Sequence, residues 1–121
     1  MKNQKTTVMK ELKDKTLLQV RNALEAIEEQ READNLKKAD RLLLEQAAVA
    51  LRNIERTITR EKEEDMVAVL EKDSKELKGL SESITKSAKK LEGLAVVVAK
   101  ASTVVEGLIK IIATAVGAGL L

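Results

Sequence analysis

Apolar residues recur along this chain at spacings of three and four, the repeat that one face of a helix imposes. In the first stretch Val8, Met9, Leu12, Leu17, Val20, Leu24 and Ile27 form the series. Thr6 or Thr7 is placed to open the helix by accepting a backbone amide. The polar run "READN" at 31–35 closes it, and Asp34 or Asn35 can cap the second helix. That second stretch carries Leu36, Ala39, Leu43, Ala47, Ala50, Leu51, Ile54 and Ile58 on one wide face. Its pattern fades in "TREKEED" at 59–65, where six of seven residues are charged and Asp65 can serve as a cap.

Beyond that turn the pattern tightens into a heptad. Every seventh residue from Leu70 is a branched aliphatic: Leu70, Leu77, Ile84, Leu91, Val98, Val105 and Ile112. A companion position reads Met66, Asp73, Leu80, Ser87, Leu94, Ala101, Leu108 and Ala115. Together they make an a/d seam suited to a facing helix. A third position reads Ser74, Ser81, Ala88, Ala95 and Ser102 before turning to Ile109 and Val116, and its small residues allow close approach. The heptad phase survives Gly79, so one long helix is conceivable. A break or kink at "KGLSES", 78–83, is favoured instead, a break there having Gly79 end one helix and Ser81 cap the next. The spans then predict an all-α, antiparallel bundle of three to four helices at about 6–32, 35–60, 65–78 and 81–118, forming a single domain over 1–121.

Composition supports the helical reading. Phe, Trp, Tyr, His, Pro and Cys are all absent, leaving an aliphatic core and no proline to interrupt a helix. Glu-to-Lys pairs four apart, such as Glu11–Lys15, Glu71–Lys75 and Glu82–Lys86, add local support. Charge is unevenly spread. Of the charged residues only Glu92, Lys100, Glu106 and Lys110 lie beyond position 90.

The last helix therefore has more apolar surface than one seam can use. On a helical wheel its polar residues, Lys100, Thr103, Glu106, Lys110 and Thr114, gather on a narrow strip. Three explanations are open. The helix is the centre of the bundle, covered by the other three; or a second chain covers it; or it meets lipid. The expected association face is Leu91, Leu94, Val98, Val105, Leu108, Ile109 and Ile112, with a homodimer, a higher homo-oligomer or another helical protein as partner. Membrane contact is disfavoured: the longest apolar run falls well short of the roughly 20 residues a spanning helix needs. The run also lacks the aromatic and basic residues of an interfacial helix.

Catalytic chemistry has little material. Without His, Cys or Tyr the usual bases, acids and soft nucleophiles are missing, and no phosphate-cradling loop motif occurs. No catalytic, cofactor or metal site is expected. The acidic runs Glu28–Glu29–Glu32 and Glu61–Glu63–Glu64–Asp65 read as solvated charged faces. Arg52, Arg56 and Arg60 form a ridge that could dock phosphate. Glu55 and Glu64 are spaced to neutralise it, and no aromatic is present to stack on bases, so nucleic acid is disfavoured.

No apolar run comes after the basic start "MKNQKTTVMK", which predicts a cytoplasmic chain. In texture, amphipathic helices ending in a Gly- and Ala-containing apolar segment resemble helical pore-forming toxins and bacterial coiled-coil modules. No motif is shared, so no residue role is transferred. The functional expectation is a non-enzymatic helical interaction module. The alternatives are a membrane-active protein using the apolar tail and a nucleic-acid-associated protein using the arginine ridge.

Overall fold

The computed structural model describes residues 2–32, 36–60, 63–87 and 92–117, with side chains over 8–32, 36–60, 65–86 and 94–117. They form four helices: α1 (Lys2–Arg31), α2 (Lys38–Arg60), α3 (Glu63–Ser87) and α4 (Glu92–Gly117). No strand occurs among the described residues. Each helix packs on its neighbour in sequence, and α1 packs on α4 to close the ring. The pairs across the ring, α1 with α3 and α2 with α4, make no close backbone approach. Consecutive helices joined by so few residues and packed along their lengths must run antiparallel. The architecture is an up-down-up-down four-helix bundle.

The core is aliphatic throughout. Val20 and Ile27 of α1, Leu44, Leu51 and Ile54 of α2, Met66, Leu70 and Leu77 of α3, and Leu94, Leu108 and Ile111 of α4 are fully buried. Each such side chain contributes about 1.5–3 kcal/mol on removal from water. Ala23, Ala47, Ala48 and Ala101 are buried too, and their small side chains let the helix axes come together. Buried hydroxyls are satisfied within their own helices. Thr16 donates to the Leu12 carbonyl at 2.7 Å, Thr57 to Asn53 at 2.9 Å and Ser81 to Leu77 at 2.9 Å.

Several element boundaries differ from those the sequence predicts. Thr6 and Thr7 lie inside α1, which begins earlier, and Asp65 lies inside α3 rather than capping it. Asp34 and Asn35 fall outside the described residues. At the start of α2 the Arg41 amide donates to the Lys37 carbonyl at 3.0 Å.

The larger correction concerns Gly79, where no break occurs. α3 runs through it to Ser87, Ser81 is a buried mid-helix residue, and α4 begins at Glu92. Length matching explains this. A break at Gly79 pairs a helix of half the usual length with one far too long for its neighbours. With α3 ending at Ser87, α2, α3 and α4 have lengths of 23, 25 and 26 residues, so each covers the next from end to end. That burial outweighs the cost of about 1 kcal/mol for a glycine within a helix.

A candidate interaction face on the fourth helix

Within α4 the core-facing side chains are Leu94, Val97, Ala101, Val104, Leu108, Ile111 and Ala115, all buried. This is a heptad seam, but it is not the purest one in the sequence. In α3 the aliphatic series Leu70, Leu77 and Ile84 points into the core. Its continuation in α4, Val98, Val105 and Ile112, is only half-buried and packs against the flank of the core. Helical phase is enforced only along an unbroken helix. α3 and α4 are separate helices, so α4 faces the core with its own rotation.

α4 is also not the central helix. It packs on α1 on one side and α3 on the other and makes no close backbone approach to α2, so it is one wall of the ring. Two neighbours cannot cover its apolar circumference. Ile109 is 56% exposed and Val116 54%, both in line with the half-buried Val98, Val105 and Ile112. Val96, on another side of the helix, is 49% exposed.

Of the residues that sequence reading places on an association face, Val98, Val105, Ile109 and Ile112 share this outer strip. Leu94 and Leu108 lie inside the bundle at 2% and 0% exposure, where only the other helices reach them. Leu91 falls outside the described residues. Val116 and Ser102 join the strip, and the heptad position that carries them, Ala95, Ser102, Ile109 and Val116, was the available signal.

Beside the strip runs a groove of about 630 Å³ between α3 and α4. Serines leave it open: Ser74 and Ser81 come from α3 and Ser102 from α4, while Val98, Val105 and Ile109 form the apolar wall. Lys75, Lys78, Glu82 and Lys86 of α3 stand along its rim.

The arginine ridge has a different setting. Arg52, Arg56 and Arg60 are exposed on α2, but Arg52 reaches across to Glu28 of α1 at 3.8 Å. Glu55 pairs with Arg21 of α1 at 3.6 Å rather than with Arg52, and Arg31 of α1 pairs with Glu45 of α2 at 3.4 Å. The Glu64 side chain is outside the described residues. Alternating signs thus join α1 to α2 along this face. Exposed pairs of this kind contribute about 0–1 kcal/mol each. No described cluster of acidic side chains is arranged to hold a metal ion.

One buried carboxyl lies on the α2–α3 side, away from the groove. Asp73 is 8% exposed, and its Oδ2 stands 3.3 Å from the Thr57 hydroxyl. Burial pushes its pKa above the ordinary 3.8, and Glu76 adds to the rise, while the Thr57 hydroxyl and Lys72 pull it back only in part. A group whose pKa is raised by folding adds stability below its unfolded value and loses that contribution as pH climbs through the folded value. Asp73→Asn should therefore be more stable than the wild type at pH 7. The gap between the two should close as pH falls below 3.8. Urea midpoints at both pH values check this; a gap independent of pH contradicts it.

Comparison with protein-family models, with curated proteins and with solved structures returns no match to this chain.

Proposed function

We propose that this chain is a non-enzymatic helical interaction module that self-associates, coiled-coil fashion, through the outer strip of α4. The homodimer is its basic unit and the cytoplasm its place of action. The observation that carries the reading is the exposure of Ile109 and Val116 beside Val98, Val105 and Ile112, on a helix with only two neighbours in the ring. Apolar surface gains about 25 cal/mol per Å² when removed from water, which favours closing this strip against another helix. Most homo-oligomers are two-fold symmetric, which makes the dimer the simplest product. Lipid is a weaker occupant, since no described helix is long and apolar enough to cross a membrane. The arginine ridge, already paired in part with α1, is a weaker site still.

Light scattering across a wide concentration range tests the reading. Mass should rise toward twice the 13.3 kDa of the chain. Ile109→Asp combined with Val116→Asp should hold the mass at that of the single chain with its helical circular dichroism intact, because both positions are more than half exposed. A wild-type chain that keeps the single-chain mass at every concentration refutes it.

A further inference from the structure

We infer that the second copy docks antiparallel, α4 against α4, about a two-fold axis that crosses the middle of the α3–α4 groove at the level of residues 103–104 of α4. The inference rests on the self-association proposed above and adds its geometry. It begins with the distribution of side-chain size along the strip. Toward the start of α4 the positions are small, Ala95 and Ser102; toward its end they are large, Ile109 and Val116. A parallel pair stacks like on like, leaving a gap where Ser102 meets Ser102 and crowding where Ile109 meets Ile109. Turning one copy around removes both faults.

The groove sets the register. Its α4 lining runs from Val98 to Ile109, so an axis at its midpoint lies at the level of residues 103–104. That axis places Ser102 opposite Val105 of the second copy, Val98 opposite Ile109 and Ala95 opposite Ile112. These are the facing layers an antiparallel heptad seam requires, each matching a larger side chain to a smaller one.

Charge selects the same arrangement. The α3 lining runs from Ser74 to Lys86, with its midpoint at Leu80. A two-fold axis at that level sets Glu82 of one copy beside Lys78 of the other, and Lys75 beside the uncharged Thr85. A parallel pair has its two-fold axis along α4, which carries the two α3 helices to opposite sides, so the Glu82–Lys78 contact is lost. Size and charge independently favour one orientation, and the occupant is a second copy of this chain.

Because the chain has no cysteine, introduced thiols report the geometry without background. Single variants Val98→Cys and Ile109→Cys are oxidised alone and as an equal mixture, and the disulfide-linked products are identified by mass. In the antiparallel pair Val98 of one copy is displaced from Val98 of the other by the length of eleven helical residues, about 16 Å. A disulfide needs Cα atoms within roughly 7 Å, so neither variant should cross-link alone. The mixture should give the Val98–Ile109 cross-link as its dominant product.

Self-linking of Val98→Cys together with self-linking of Ile109→Cys indicates a parallel pair and overturns the inference. Absence of any cross-link in chains that light scattering finds dimeric overturns it as well, while the self-association reading stands. Wild-type chains that remain single in light scattering remove both.

Discussion

Leu108→Ala should lower the stability of the bundle by about 2–5 kcal/mol, while Ile109→Ala beside it should stay within about 0.5 kcal/mol of the wild type. The two residues are adjacent and similar in size, yet Leu108 is 0% exposed and Ile109 is 56% exposed. Shortening Leu108 removes apolar contacts in the middle of the α4 seam, between Val104 and Ile111. The walls of the resulting cavity are aliphatic and held by the packed helices around them, so they collapse only in part. Total stability of a domain this size is about 5–15 kcal/mol, so the loss shows directly in a urea midpoint. The measurement belongs at a concentration where the mass is that of a single chain, because association would otherwise add to the cost at Ile109. Equal losses at the two positions would mean that the outer strip, not the inner seam, holds α4 in place.

That contrast also marks where the sequence was readable. The helical class followed from residue types alone, since an aliphatic chain without proline or aromatics has few other ways to bury itself. The core positions of α3 followed from the heptad because Leu70, Leu77 and Ile84 belong to one uninterrupted helix. In α4 two apolar seams run side by side, Leu94–Ala101–Leu108–Ala115 and Val98–Val105–Ile112, and both are rich in aliphatics. Which one faces inward depends on the rotation of α4 as a separate helix, a property of neither seam. The sequence also carried no measure of how many neighbours α4 has. A wide apolar circumference is shared by a helix surrounded by three others and by a ring helix that leaves an apolar strip outside, as α4 does.

Gly79 and Ser81 misled for a local reason. Glycine close to serine is the usual signature of one helix ending and another beginning, and it is a weak signal. Here the Ser81 hydroxyl turns back to the Leu77 carbonyl, and Leu77 and Ile84 on either side are buried. Tertiary burial on that face overrides the preference of two residues. The same energetic balance, a modest backbone penalty against packing, separates the glycines from one another.

Gly107→Ala should destabilise the protein, whereas Gly79→Ala should stabilise it by about 0.5–1 kcal/mol. Both glycines lie within helices, where alanine is intrinsically preferred, so helix propensity alone predicts a gain at each. At Gly79 a new methyl group meets nothing within 4 Å and the gain is kept. At Gly107, where α4 crosses α1, the methyl would sit 2.7 Å from the Thr16 hydroxyl oxygen and 3.0 Å from Gln19 Oε1. Gln19 can shift its amide. Thr16 cannot move as freely, since it is 1% exposed and its hydroxyl is tied to the Leu12 carbonyl at 2.7 Å. Forcing α1 and α4 apart there costs about 1–3 kcal/mol, more than the propensity gain, and Gly107→Val should lie at the upper end or beyond. A double-mutant cycle isolates the cause. Thr16→Ala removes both Oγ1 and the Cγ2 methyl that lies 3.2 Å from the same point. In that background Gly107→Ala should cost little or become favourable, a coupling of about 1 kcal/mol or more between residues in direct contact. Thermal midpoints of the four variants measure it, and Gly107→Ala raising the midpoint as Gly79→Ala does would rule out the close crossing of α1 and α4 as the reason position 107 is glycine.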